Sequence, residues 1–509
     1  MQALSLQTNR RRLFVCLINK NRSEAGRRDW IELRFQLMEE KTMQSRTKIK
    51  TAVFLGLLGS SVGVSAEMGD YSFWDTLGNL IWPRGADNPV TQEQQNAAQY
   101  PLTPNPSEVA DGFNPGAYLQ WQTIQLHPDT GAICGNGSPY KFFVNRVAHT
   151  SNTVIYMEGG GACWDYESCT GQTGIRGARN PNGIPDDYMS LQNPSASLVS
   201  PFVFRLHPWT RTKTQNWNMV YIPYCTGDIY TGDKVAIYED PTGENDPLVW
   251  RHNGVRNMRA VVAWLKNNLE RSGQMLMTGC SAGGAGSFAN YHPVRRDMAP
   301  GKAYLINDSG PIFPAPVTGS EEEYPSLKLQ NTIRNVWGLD GDGDGPLYYL
   351  QNELPSLDLN DLGTLYTALG EYYPNDRLGH THFWDDLNYS SYSYERFYDD
   401  INNEPDAEKR KQKIHQRWYK DTSHLMTSLD GYDNWGYYIP RFRDVNESHC
   451  TSIIEFNNAD IQEDGLELGD FVNNVMEGSG PVMSASEEDS VSDYQKGFNL
   501  LYWLLDQLL

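Results

Sequence analysis

Between Tyr118 and Ile306, short apolar runs are separated by turn-forming residues and by stretches of helical spacing. Tyr118–Leu126, Lys141–Val147, Thr153–Met157, Met219–Tyr224, Gln274–Thr278 and Ala303–Ile306 have the length and the β-branched, aromatic or aliphatic content of strands. In Val255–Leu269 the apolar residues Met258, Val261, Val262, Leu265 and Leu269 recur on one helix face, and Ala285–Asp297 is also helical in character. Strands alternating with helices predict an α/β fold with a largely parallel sheet. Residues 317–376 interrupt this order; acidic and broken by Gly and Pro, they predict an inserted, mostly helical lid. Asn434–Phe442 predicts a late strand and Tyr494–Leu509 a closing amphipathic helix. Residues 67–114, rich in Pro, Asn and Gln, predict an irregular wrap leading into one domain over 115–509.

The amino-terminal segment does not belong to this pattern. Arg46, Lys48 and Lys50 precede the apolar stretch Thr51–Leu58, which runs on to Val64-Ser65-Ala66, a small-x-small cleavage signature. Residues 43–66 therefore predict a signal peptide beginning at Met43, too short for a membrane-spanning helix. The Arg-rich residues 1–42 predict an upstream extension from a misassigned start, with a genuine amino-terminal arm as the alternative. The expected product is exported, secreted or periplasmic, with no integral membrane segment.

Charge and cysteine content narrow the chemistry. The chain has 42 basic and 63 acidic side chains, a net charge of −21. Losing residues 1–66 removes 12 of the basic and 5 of the acidic groups, leaving the product more acidic still. Such a balance excludes nucleic acid as a natural partner. Cys16 leaves with the leader, and the six that remain predict up to three disulfides in an oxidising compartment.

The candidate chemistry centres on Gly279-Cys280-Ser281-Ala282-Gly283-Gly284, which follows a predicted strand and opens a predicted helix. Strand, Gly-x-Ser-x-Gly, helix is the nucleophile elbow of α/β-hydrolases. Glycines two positions either side of Ser281 make room for a sharp, strained turn. Glu158-Gly159-Gly160-Gly161-Ala162 follows the strand Val154–Met157, and its N–H groups, with that of Ala282, would form an oxyanion hole. The general base is sought after Ser281, among His292, His380, His382, His415, His424 and His449. His449 is preferred because it follows the late strand and has Cys450 beside it, as Ser281 has Cys280. A Cys280–Cys450 disulfide would hold the two loops within about 6 Å at their Cα atoms. Asp386 is the first choice for the orienting acid, followed by Asp385 and then Asp308. Asp340-Gly-Asp342-Gly-Asp344-Gly has the aspartate spacing of a calcium loop, but position twelve is Gln351. A solvated acidic turn is therefore the preferred reading, with a structural Ca²⁺ at Asp340, Asp342 and Asp344 as the alternative and no other cofactor expected.

Four motifs in order, Glu158-Gly-Gly-Gly-Ala-Cys163-Trp164, Ile222-Pro-Tyr-Cys225-Thr-Gly-Asp228, Gly279–Gly284 and Asp308-Ser309-Gly310, resemble the pectin acetylesterase family, which includes the Notum carboxylesterases. The resemblance is firm from Cys134 to Gly310, loose to Cys450, and poor between 311 and 440. It implies an α/β-hydrolase fold and carboxylic ester hydrolysis. It also implies a nucleophile at Ser281, oxyanion donors at Gly160, Gly161 and Ala282, His449 as base and Asp386 as acid. By the same comparison Cys163 pairs with Cys169 and Cys134 with Cys225. The expected function is a secreted serine esterase that deacetylates a polysaccharide such as pectin. The alternatives are a short-chain or fatty acyl carboxylesterase, or a carbohydrate-binding protein on a hydrolase scaffold.

Overall fold

Thr153–Met157 is buried at all five positions and Gln274–Cys280 at six of seven, the burial of strands covered by helices on both faces. The computed structural model describes residues 110–111, 113–171, 177–190, 200–443, 446–457 and 459–487. All of them lie in the larger of two compact units, Ser61–Gln507. The expected leader, the extension, most of the 67–114 wrap and the Tyr494–Leu509 helix lie outside the described residues.

Five strands open the fold: β1 (Ala110–Asp111), β2 (Trp121–Leu126), β3 (Lys141–Asn145), β4 (Thr153–Met157) and β5 (Asn218–Ile222). β6 (Lys234–Tyr238) and β7 (Leu248–His252) form a separate antiparallel hairpin that the sequence pattern did not announce. β8 (Gln274–Cys280), β9 (Lys302–Asp308), β10 (Arg377–Thr381), β11 (Trp435–Ile439) and β12 (Ala485–Ser486) complete the main sheet. Its order is β1-β2-β3-β5-β4-β8-β9-β10-β11-β12. Neighbours are antiparallel from β1 to β5 and parallel from β5 to β12. A mainly parallel sheet with a strained serine turn after a central strand is the α/β-hydrolase arrangement.

Helix α1 (Gly254–Asn268) packs against the sheet through the apolar stripe read from its sequence. The expected single helix after the elbow is two, α2 (Ala282–Ala289) and α3 (Tyr291–Met298), meeting at Asn290. Pro293 lacks the N–H that would continue the ladder back to Ala289, which accounts for the break. Between β9 and β10 lie α4 (Leu327–Val336), α5 (Pro346–Glu353) and α6 (Leu365–Tyr372). Between β10 and β11 come α7 (Leu387–Tyr394) and the 23-residue α8 (Ala407–Leu429), and α9 (Leu468–Glu477) follows β11. In-register pairing of Cys280 with Asp308 and of Asp308 with Thr381 brings three strand ends together where the elbow stands.

Candidate active site

Ser281 sits between β8 and α2 with φ 60° and ψ −126°, a conformation rarely open to a residue with a side chain. Its N–H donates to the Asp308 carbonyl at 2.9 Å, which fixes the turn. A Cβ on Gly279 would lie 2.3 Å from the Met157 carbonyl oxygen, and one on Gly283 would lie 1.9 Å from the same atom. Glycine is thus required two positions before and after the serine.

The glycine loop lies against the elbow. A Cβ on Gly159 would fall 2.4 Å from the Cys280 carbonyl oxygen and 3.0 Å from Ser281 Cβ. Gly160 and Gly161 have φ of 144° and 94°, which turn the peptide units away from strand geometry. Ala282 is the first residue of α2, where an N–H has no partner within the helix. Beneath the loop, buried Glu158 accepts from Tyr188, from Asn180 at 2.9 Å, and from Tyr221 Oη and Tyr224 N–H at 3.0 Å each. Burial raises the Glu158 pKa, opposed chiefly by the Arg179 guanidinium. Glu158 opens the glycine motif, but nothing in the sequence pattern marks it as the anchor of that loop.

His449 Nδ1 lies 2.8 Å from Asp386 Oδ2. Asp386 is fully buried and is the N-cap of α7, its Oδ1 accepting the Tyr389 N–H at 2.9 Å. A carboxylate only accepts, so Nδ1 carries a proton, and in the neutral imidazole the lone pair is then on Nε2. That Nε2 is buried without a hydrogen-bond partner. Burial raises the Asp386 pKa, and the neighbouring His449 opposes the rise.

Disulfides join Cys280 to Cys450, Cys163 to Cys169 and Cys134 to Cys225. The first holds the residue before Ser281 and the residue after His449 at a Cα separation of 5.6 Å. The His449 loop is itself strained, with positive φ at Asn446, Glu447, Ser448 and Cys450. Fully buried Arg443 steadies it by donating to the carbonyls of Cys450 at 2.5 Å and Thr451 at 3.2 Å. Nothing in the sequence pattern marked Arg443.

The other candidates have different partners. Asp308 accepts from Thr451 N–H and Ser452 N–H, both at 2.8 Å, and from their hydroxyls at 3.0 and 2.7 Å. Asp385 accepts from Tyr419 Oη and lies 3.5 Å from Arg441 Nε. His380 meets His382 at 2.7 Å, His382 meets Thr422 at 3.0 Å, and His292 meets Glu353 at 2.7 Å. His424 meets Glu323 at 3.1 Å, and His415 packs on the Tyr419 ring.

Asp340 is held by both Nε and Nη2 of Arg334, and Asp344 accepts the Asp342 N–H. A carboxylate committed to a guanidinium is a poor calcium ligand. Among the described residues, the His, Cys, Asp and Glu groups close enough to share an ion are Cys163–Cys169–His252 and Cys280–His449–Cys450. Their cysteines are disulfide-bonded and offer no thiolate.

An apolar cleft begins at Ser281, Gly161 and Ala162 and continues among Phe313, Leu329, Ile333 and Leu350. The segment 311–440, unmatched at the sequence level, supplies most of its outer wall. Among the described residues, no helix is long and apolar enough to cross a membrane.

Residues 114–327 match the family model described as Pectinacetylesterase, a stretch that contains the elbow but not Asp386 or His449. The palmitoleoyl-protein carboxylesterase Notum of Drosophila melanogaster is 27% identical over 232 residues, 44% of this chain and 29% of that protein. Pectin acetylesterase 7 of Arabidopsis thaliana is 28% identical over 179 residues, 34% of this chain and 40% of that protein. The solved structure of the Wnt deacylase Notum from Drosophila aligns over 78% of this chain and 97% of that one, with a TM-score of 0.43 and 18% identity. The matches span less than half the length of the curated relatives. In its four ordered motifs, and in the stretch matched by the family model and the curated proteins, the chain is similar to the pectin acetylesterases and the Notum carboxylesterases.

Proposed function

We propose that the protein is an exported serine carboxylesterase. Ser281 Oγ attacks the ester carbonyl as His449 Nε2 takes its proton, and the N–H groups of Gly160, Gly161 and Ala282 receive the oxyanion. His449 returns the proton to the departing alcohol, leaving an acyl group on Ser281. Water then attacks, again deprotonated by His449, releasing the acid and restoring the serine. Asp386 holds the imidazole tautomer and offsets its transient positive charge. The observation that carries this reading is the His449–Asp386 pair, with a buried, unpartnered Nε2 on a loop bridged by disulfide to the residue before Ser281. The three disulfides and the leader-like residues 43–66 support action outside a reducing cytoplasm.

The cleft favours an apolar acyl group. It follows α2 from Ser281 and Ala282 to Ala289 and Asn290. Eight helical residues at about 1.5 Å each cover about 12 Å. An extended chain of C–C bonds of about 1.5 Å fills that length with on the order of nine carbons. Removal of acetyl groups from a polysaccharide is the second reading, favoured by the description of the matching family model. Hydrolysis of p-nitrophenyl acetate, butyrate, octanoate and palmitate, beside acetate release from pectin, separates the two. A preference for octanoate supports the apolar reading. Background rates on every ester, equal in wild type and Ser281→Ala, would remove the esterase assignment and favour a carbohydrate-binding protein.

A further inference from the structure

Beyond Asn290 the character of the cleft changes. Its lining there includes Arg259 from α1, His292 and Arg296 from α3, and Glu353 at the carboxyl end of α5. Glu353 accepts from Arg296 Nη1 and lies 2.7 Å from His292 Nε2. Because the carboxylate only accepts, Nε2 carries the proton, and His292 Nδ1 accepts from Tyr373 Oη at 2.9 Å. Arg296 and Arg259 share Asp297 behind them. Arg259, His292 and Arg296 are each at least 98% buried. Helix α5 has no buried residue, yet Leu347 and Leu350 face the cleft. It is a thin wall whose last residue is fastened to α3.

From this arrangement we propose that the Glu353–His292–Arg296 cluster closes the distal end of the acyl cleft and sets the longest acyl chain the enzyme accepts. The proposal rests on the apolar-acyl reading. A chain long enough to pass Ala289 meets paired charges instead of hydrocarbon. To advance, it must part Glu353 from Arg296 and His292, so that the carboxylate loses both partners and Arg296 is left with Asp297 alone, which is strongly unfavourable. Shorter chains end in the apolar stretch and leave the cluster intact. Glu353 is therefore a specificity-determining residue that never meets the reacting atoms.

The test compares p-nitrophenyl octanoate with p-nitrophenyl palmitate in wild type, Glu353→Ala, Glu353→Gln and Ala289→Phe. Wild type is expected to favour octanoate. In Glu353→Ala the palmitate-to-octanoate ratio of kcat/KM should rise by about tenfold, the scale on which pockets discriminate chain length. Glu353→Gln keeps the length of the side chain but not its charge, and should raise the ratio by less than Glu353→Ala does. Glu353→Asp withdraws the carboxylate by one methylene. It should give a smaller rise, and it replaces Glu353→Ala if that variant does not fold. An unchanged ratio in folded Glu353→Ala or Glu353→Asp would overturn the proposal. Ala289→Phe fills the far end of the apolar stretch and should depress octanoate relative to acetate. If it does not, the cleft is not the acyl site, and the apolar-acyl reading itself fails.

Discussion

The Asp308 carboxylate accepts both the backbone N–H of Thr451, at 2.8 Å, and its hydroxyl, at 3.0 Å, two residues beyond His449. The Asp308 carbonyl also accepts the Ser281 N–H, and Ser309 Oγ accepts the Cys450 N–H at 3.1 Å. The Asp-Ser-Gly motif thus joins the elbow to the histidine loop, parallel to the Cys280–Cys450 bridge. Asp308→Asn puts an amide donor against N–H donors at a fully buried site. It should lower stability by about 2–3 kcal/mol, read as a shift in urea midpoint with an unchanged slope. Wild-type stability in that variant would mean the network is not the support described.

Asp386 and Asp385 are adjacent but differently engaged. Asp386→Asn should leave the fold intact and lower kcat by about 10³–10⁴, because an amide no longer selects the productive imidazole tautomer. Asp385→Asn, which touches Tyr419 and Arg441, should change kcat by less than about tenfold. Kinetics on a short p-nitrophenyl ester compares them directly.

The Cys280–Cys450 bridge closes a loop of 170 residues. Replacing both cysteines by alanine should cost up to about 5 kcal/mol of stability through the unfolded chain. Since Asp308 and Arg443 hold the same loop, kcat well below the melting temperature should fall by less than about tenfold. In Asp308→Asn, loss of the bridge should cut activity far more. Strictly independent effects in the double-mutant cycle would contradict a shared role.

Asp421 of α8 is buried and accepts from Ser326 N–H at 2.9 Å and Tyr394 Oη at 2.8 Å. Burial pushes its pKa up to about 7. A carboxyl raised in the folded state stays protonated there while the unfolded chain has already released its proton. Its contribution to stability is therefore complete below about pH 4 and is lost as pH rises through about 7. The stability of Asp421→Asn relative to wild type should increase between pH 4.5 and 7.5, by at most about 1.4 kcal/mol per pH unit. Denaturant unfolding across that range checks it, and a flat difference would count against a raised pKa.

Strands β4, β5, β8 and β9 were legible because a strand buried on both faces is a continuous apolar run, which chance rarely supplies, whereas the half-exposed β6 and β7 gave no such signal. The elbow and glycine loop were legible because backbone crowding at Gly279, Gly283 and Gly159 leaves glycine as the one residue that fits. Helix α8 was not recognised. Its first two turns, Ala407–Lys413, are charged and largely exposed, and its buried stripe of Ile414, Trp418, Leu425 and Leu429 is sparse. The choice among Asp386, Asp385 and Asp308 stayed open because all three end or follow neighbouring strands. Only the path of the loops decides which carboxylate meets the imidazole. The Glu353 cluster was invisible because its partners are distant in sequence, and Arg443 because it binds loop carbonyls, which leave no trace in the side-chain pattern.

The central claim is that Ser281, deprotonated by His449, forms an acyl-enzyme. Brief incubation with an alkyl fluorophosphonate, followed by intact-mass and peptide analysis, tests it most directly. One adduct per chain on Ser281, absent in Ser281→Ala and formed at least about a hundredfold more slowly in His449→Ala, is the predicted result. An unlabelled Ser281 in folded wild type, or labelling at an unchanged rate in His449→Ala, would contradict it.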